Sequence, residues 1–416
     1  MVKEDGQKRI TIVGLGLIGG SIGLALKKAG LAGVEIVGQS RRHETEALAK
    51  RMGAIDTGEH NLRTAVQGAG LVIIATPVLT VREVMEQIAP HLAEGTVVTD
   101  VASTKGHAMK WARELLPEHV NFVGGHPMAG KENQGMASAD ADLFHGKAYC
   151  ICPAVNASEG AVKSVVGLAH LIGAEPLFID PDEHDVYAAA VSHLPLMVAA
   201  ALFNMLRTSP SWEDMSLMAS SGLKDTTRLA SGDPRMAHDI WVTNREAVIH
   251  WLERMEGELH HFRDILQDSR DEELLELFAK VQMDRDTLIE TPPKRKMEGI
   301  GAVEKGGQAM MDMLIGKMMA DQLRKAQKIP DLMSQSREGA ADKPKERKPS
   351  LAERVAEDIR RDLEKLEKKR AEKEAGEGRP LESEWRRRSA RRDESAGRSA
   401  RRETSRSRTG QQCSTR

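Results

Sequence analysis

The chain reads as an α/β protein: a doubly wound, mostly parallel sheet, then an all-helical domain, then a charged extension. Three observations predict this. Strand-like apolar runs alternate with helical ones up to about residue 180, the pattern of a sheet with helices on both faces. Gly14, Gly16 and Gly19 stand in GxGxxG register between the first strand and the first helix, where a Rossmann-type domain carries its dinucleotide loop. After Asp180 only long helical segments follow. The expected boundaries are 1–180 for the Rossmann-type dinucleotide-binding domain, 181–292 for an all-helical substrate and dimerisation domain, and 293–416 for a low-complexity extension.

The first strand spans 9–13 and its helix runs to Lys28. Gly14 permits the tight turn, Gly16 admits a pyrophosphate to the backbone, and Gly19 lets helix and strand pack closely. Leu17 and Ile18 lie in the helix's first turn, whose free amides and positive dipole end suit phosphates. The second strand ends at Gly38 and runs into Gln39-Ser40-Arg41-Arg42. An NAD site usually has a carboxylate here, bonded to the ribose diol. A hydroxyl and two guanidiniums suit a 2′-phosphate instead, so the expected cofactor is NADP, with NAD tolerated. A solvated basic turn is the bland alternative.

A buried strand over 71–77 breaks at Thr76-Pro77, both expected along the cofactor. Helix 78–88, strand 96–99 and the loop DVASTK follow. Ser103, near a helix start, either caps that helix or reaches the nicotinamide end of a dinucleotide. Strand 121–124 leads into Gly124-Gly125-His126-Pro127, read as a sharp turn that aims an imidazole from the sheet's carboxyl edge. Ligands bind at that edge in open α/β sheets, and histidine exchanges protons near neutral pH. Taken alone, a turn-capping histidine explains His126 equally well. Strand 148–152, helix 159–171 and strand 175–179 extend the sheet.

The helical part opens with a run over 181–208, apolar nearly all round and kinked at Pro195. Such a helix is buried on every side, in a core or a subunit interface. His184 and His193 lie on it, each readable as a satisfied core histidine. Next come a polar loop and short helix ending at Arg228, then helices near 235–267 and 270–288. Residues 294–340 are rich in Gly and Met. Leu351, Val355, Ile359, Leu363 and Leu366 mark one charged helix over 351–370, and the chain from Trp385 is expected to be disordered.

Composition narrows the function classes. A length of 416 residues holds two or three domains. Aromatics are only 3 % of residues, so the core is aliphatic with Met filling gaps. A net charge of −2 hides an asymmetry: residues 341–416 hold 24 Lys and Arg against 16 Asp and Glu. That basic tail reads as solvated, and nucleic acid is not an expected partner. Cys150, Cys152 and Cys413 are too few for a disulfide framework. Cys150 and Cys152 share one strand face and should be buried and reduced; no Cys/His cluster signals a metal. Nothing at the N-terminus resembles a signal peptide and no apolar run reads as a membrane span, so a cytoplasmic protein without a membrane partner is expected.

The motifs GLGLIGGSIG, DVASTK, GGHPMAG, SHLP and SGLKDTTR with the following SGDP occur in that order across 9–290. In these the chain resembles the prephenate/arogenate dehydrogenases of tyrosine biosynthesis. The QSRR turn is similar to that of the NADP-using, often arogenate-accepting branch. The resemblance implies oxidative decarboxylation of a cyclohexadienyl substrate, prephenate or arogenate, with hydride passing to the nicotinamide. It implies His126 as the group that takes the substrate hydroxyl proton. Ser103 would orient His126 and touch the nicotinamide. His193 would face the substrate, Arg228 would pair with a substrate carboxylate, and His184 would lie at the pocket. A homodimer through the helical domain is also implied. Two features depart from the family: Ala237 stands where many members have tryptophan, and 294–416 shows no strands of an appended ACT domain. A 3-hydroxyacid dehydrogenase of similar architecture is the alternative enzyme reading.

Overall fold

The computed structural model describes residues 8–291. The extension from 293, with its expected helix over 351–370 and disordered tail, lies outside the described residues, as does Cys413. The strands are β1 (Lys8–Val13), β2 (Val34–Gln39), β3 (Thr57–Gly58), β4 (Ala69–Ile74), β5 (Val97–Asp100), β6 (Asn121–Pro127), β7 (Ala148–Pro153) and β8 (Glu175–Phe178). They form one sheet in the order β3-β2-β1-β4-β5-β6-β7-β8. The order reverses between β1 and β4, which makes the crevice beyond their carboxyl ends the switch point where ligands bind.

The sheet is covered on both faces. Helices α1 (Leu17–Ala29), α2 (His43–Arg51), α3 (Leu62–Val66), α4 (Val78–Ile88), α5 (Gly106–Leu115) and α6 (Glu159–Leu171) connect its strands. Neighbouring strand residues point to opposite faces, so a strand buried on both sides must be apolar throughout. Ile12, Ile73, Val97 and Val123 enter one core with Ile22, Leu26 and Val165, while Val13, Val72, Val98 and Phe122 enter the other with Val81, Met85 and Trp111.

The GGHP segment is not a turn. It continues β6, and β6 pairs antiparallel with β7, with His126 opposite Cys150. All other neighbours in the sheet are parallel. The glycines serve close approach: a Cβ on Gly125 would come 2.5 Å from the Tyr149 hydroxyl and 2.6 Å from the Asp100 carbonyl. Cys150 and Cys152 are buried free thiols, and burial pushes them up to about 11 and about 12.

The apolar run of the helical part is α7 (Pro181–Ala188), a π-helical turn at Ala189–His193, and α8 (Leu194–Arg207). Pro195 lacks an N–H, and the widened turn just before it is where the ladder adjusts. The run is not buried on every side. Val186, Tyr187, Val191, Phe203 and Met205 are exposed, and few of its residues are fully buried. Pro181–Arg207 is also long and apolar enough to cross a membrane by length and composition, which corrects the reading that no run approaches a span. The expected helix over 235–267 is two, α11 (Pro234–Thr243) and α12 (Arg245–Gln267), after the short α9 (Trp212–Leu217) and α10 (Ser221–Thr227). The last helix, α13 (Asp271–Glu290), belongs to a second compact unit; its first turn carries Asp271, Glu272 and Glu273, favourable against the helix dipole.

Candidate active site

The dinucleotide cradle is built from the first βα turn. Gly14 has φ of 99°, and a Cβ there would meet the Ala75 carbonyl at 2.5 Å. A Cβ on Gly19 would meet the Gly14 carbonyl at 2.0 Å, whereas at Gly16 it would meet nothing within 4 Å. Space is thus left where a pyrophosphate approaches, and no side chain caps the α1 N-terminus. Leu17 and Ile18 begin that helix, half-buried. At the adjacent strand end, Thr76 Oγ1 is buried without a partner among the described residues, and Pro77 precedes α4. An open loop, free amides and an orphaned hydroxyl fit a dinucleotide.

At the end of β2 the side chains divide. Gln39 is buried and donates to the His60 carbonyl at 3.1 Å, so it faces inward. The Ser40 hydroxyl accepts the Arg42 N–H at 3.3 Å, and Arg41 and Arg42 are exposed.

The histidines converge. His126 Nδ1 lies 2.9 Å from His184 Nε2, and His184 Nδ1 lies 2.8 Å from Asp185 Oδ1. The Asp185 carboxylate also accepts the Lys105 N–H at 2.7 Å and the Gly106 N–H at 2.8 Å. These bonds outweigh burial and hold the Asp185 carboxyl below its ordinary value. An ionised carboxylate only accepts, so His184 carries its proton on Nδ1 and, when neutral, presents a lone pair at Nε2. His126 must then donate from Nδ1, which leaves its Nε2 as the basic atom. Burial, followed by the nearby His184, Lys105 and His193, holds His126 well below the ordinary histidine value. It is neutral at pH 7, as a base must be.

His193 is fixed by a different neighbour. Asn244 Nδ2 donates to the Asp185 carbonyl at 2.7 Å and faces His193 Nδ1 at 3.1 Å. An amide N–H₂ only donates, so His193 accepts at Nδ1 and bears its proton on Nε2. That Nε2 is buried and, among the described residues, has no side-chain hydrogen-bond partner; the Ser103 main chain lies beside the ring. Burial lowers His193 to about 4, against the opposing pull of Asp185 and the Ser103 main chain, so the ring is a neutral imidazole at pH 7.

Ser103 makes no side-chain bond to His126; His184 takes that place. Arg228 is ion-paired with Glu132, from the loop after β6. Four residues that the sequence reading passed over hold the site together. The Lys105 ammonium is fully buried, pairs with Asp100 and donates to the Gly125 carbonyl at 2.7 Å. Asp100 in turn accepts the Gly125 N–H at 3.2 Å, so this pair ties the DVASTK loop to the backbone just before His126. Asp185 and Asn244 complete the set. Asp100 and Lys105 bracket a motif already noticed, and Asp185 follows His184 directly. Asn244 left only a faint signal, as a helix-breaking residue. The fold also gathers His43, Glu46 and His60, against the expectation that no metal-type donors cluster.

A dinucleotide cradle and a carboxylate-anchored histidine pair in one chain define a nicotinamide-dependent dehydrogenase. Two family models match: prephenate dehydrogenase, nucleotide-binding domain, over residues 22–177, and prephenate dehydrogenase, dimerization domain, over 180–280. The chain belongs to the prephenate dehydrogenase family and is an oxidoreductase. The Bacillus subtilis prephenate dehydrogenase is 34% identical over 281 residues, 67% of this chain and 76% of that protein. The Zymomonas mobilis cyclohexadienyl dehydrogenase is 29% identical, covering 67% of this chain and 95% of that one. Among solved structures, A. aeolicus prephenate dehydrogenase in complex with hydroxyphenyl propionate and NAD+ has 31% identity and a TM-score of 0.63, covering 68% of this chain and 98% of that one. Synechocystis arogenate dehydrogenase has 29% identity and a TM-score of 0.58, covering 67% and 99%.

Proposed function

We propose that the chain oxidatively decarboxylates prephenate or arogenate, with NADP preferred over NAD, as a homodimer. The observation that carries the reaction is the Asp185–His184–His126 chain of hydrogen bonds, which leaves a neutral, tautomer-fixed base at the carboxyl edge of the sheet. His126 Nε2 takes the proton of the C4 hydroxyl as that oxygen becomes a carbonyl. The nicotinamide, when bound, accepts the hydride from C4. As the C1–carboxylate bond breaks, its electron pair enters the ring, which aromatises as carbon dioxide leaves and the C4 oxygen regains its proton from His126. His193 Nε2–H donates to a substrate oxygen. Arg228 exchanges Glu132 for a substrate carboxylate, and Ser103 lines the nicotinamide end. Gly14, Gly16, Leu17, Ile18, Gly19, Thr76 and Pro77 hold the dinucleotide, with Ser40, Arg41 and Arg42 at its 2′-phosphate.

The exposed apolar face of the run from α7 through the π-helical turn to α8 supports the homodimer, because a monomer would leave Val191, Phe203 and Met205 in water. The reading is tested by steady-state kinetics with prephenate and arogenate, each crossed against NAD and NADP. Turnover of either substrate with release of carbon dioxide is expected. No turnover of either, with activity on a 3-hydroxyacid, would overturn it.

A further inference from the structure

At the outer end of the sheet, away from the reacting histidines in sequence and in strand order, three side chains converge beneath the Ser40–Arg42 turn. His43 opens α2 and Glu46 lies one turn on, so both face the same side of the helix. His60 sits just before Asn61, the residue that caps α3. His43 Nδ1 is 3.3 Å from Glu46 Oε2, and His60 Nδ1 is 3.5 Å from Glu46 Oε1. One donor atom from each residue lies within 4.8 Å of the others. The two rings lie 4.0 Å apart, tilted by 30°.

We infer that His43, Glu46 and His60 form a site for a divalent transition-metal ion of the zinc class. Tetrahedral zinc binds imidazole nitrogen and carboxylate oxygen at about 2.0–2.2 Å, which sets neighbouring donors roughly 3.3–3.5 Å apart. The two imidazole–carboxylate separations are of that size, one to each oxygen of Glu46, so the carboxylate would face the ion with both oxygens. Two imidazoles and one carboxylate suit zinc, cobalt, nickel or copper and lack the oxygen donors that calcium or magnesium require.

The donors are also held in place. The Glu46 side chain is 9% exposed, and its Oε1 accepts the Ser40 N–H at 3.1 Å. A Cβ on Gly58 would lie 3.0 Å from Glu46 Cβ, so the glycine in β3 makes room for the carboxylate's stem. Gln39 pins the His60 main chain through its carbonyl. The imidazoles, 75% and 45% exposed at His43 and His60, leave the fourth position to water. A buried carboxylate flanked by two reachable imidazoles is a three-donor site open on one side.

The test uses the full chain, stripped with a chelator and titrated with cobalt(II) followed by its visible absorption, and with zinc by calorimetry. The expected result is one equivalent bound with a Kd of ~1–100 µM and the intense visible bands of four-coordinate cobalt. His43→Gln and His60→Gln should each weaken binding by at least ~10-fold, and Glu46→Gln, which can still accept the Ser40 N–H, should do the same. Both imidazoles are exposed, so His60→Gln and His43→Gln should keep the circular-dichroism spectrum of the parent. Equal metal uptake by the parent and a His43→Gln/His60→Gln double variant would overturn the site. So would no uptake at 1 mM cobalt, showing that the rings only flank the carboxylate.

Discussion

His184 Nε2 lies 2.9 Å from His126 Nδ1, and the far nitrogen of the same ring is held by the Asp185 carboxylate. In the proposed mechanism His184 is therefore a positioning residue whose tautomer dictates that of His126. His184→Ala should remove the acceptor that keeps the His126 proton on Nδ1 and lower kcat by ~10–100-fold. It should also remove a neighbour that holds His126 below its ordinary value. The acidic limb of the kcat/KM profile, where the base gains its proton, should then move to higher pH. A slower variant with an unmoved limb would make His184 merely a packing residue.

His126→Asn keeps a side chain of similar size without a base. General acid–base catalysis contributes ~10²–10⁴-fold, and kcat should fall by that factor while cofactor affinity, read by fluorescence titration, stays unchanged. A near-parental kcat would remove His126 from the mechanism.

Much of this fold was legible because its strands are buried on both faces and its helices are amphipathic. Helices over 78–88 and 159–171 appear with the bounds their periodicity predicts. The failures have local causes. Gly-Gly-His-Pro reads as a turn by residue type, but Gly125 is needed to let β6 pass Tyr149 and Asp100, so tertiary approach overrides turn propensity. The Ala189–His193 widening next to Pro195 was visible only as a kink. Within the site, His126 and His193 were named from the GGHPMAG and SHLP motifs, and His184 from the family resemblance. Their hydrogen-bond partners were not, because Asp185 to Lys105 and Asn244 to His193 are contacts between distant segments that no spacing rule encodes.

Burying neutral histidines makes the fold acid-sensitive. His193 lies at about 4 in the folded chain against ~6.5 when unfolded, so the unfolded state takes up the proton first as pH falls. The stability is complete above about pH 6.5 and is lost on the way down to about pH 4, by on the order of 3 kcal/mol at 1.36 kcal/mol per pH unit. His126, lowered as well, acts in the same direction. The urea midpoint should drop between pH 7.5 and 5, and His193→Gln should flatten the curve. A parental midpoint independent of pH would contradict the buried, neutral assignment.

The Lys105–Asp100 pair should matter more to the fold than its single contact suggests. Both groups are fully buried, so Lys105→Met would strand the Asp100 charge at a cost of ~3–5 kcal/mol. Pairing it with Asp100→Asn should recover part of that loss, because the charge is gone and the single asparagine oxygen can still accept one of the Gly125 and Ala102 N–H groups, which Asp100 now holds on separate oxygens. Chemical denaturation measures both. A single variant with parental stability would show that water relieves the carboxylate.

In the proposed reading, cofactor choice rests on the turn after β2. An NAD site places a carboxylate at this strand end, bonded to the ribose diol and repelling a 2′-phosphate. Gln39 is turned inward to His60, and the Ser40 amide is already taken by Glu46. Attraction for a 2′-phosphate therefore falls to the Ser40 hydroxyl and the exposed guanidiniums of Arg41 and Arg42, for which the described residues show no ion pair. Charge-assisted bonds contribute ~1.5–3 kcal/mol each, so one or two give roughly tenfold to several-hundredfold preference for NADP in kcat/KM. Nothing at the turn repels an unphosphorylated ribose, so NAD should remain a working cofactor. Ser40→Asp with Arg41→Ala should reverse the ratio, and raised salt should erode the parental preference first, because the contacts are exposed. A parental enzyme equally efficient with NAD would show that both guanidiniums point into solvent.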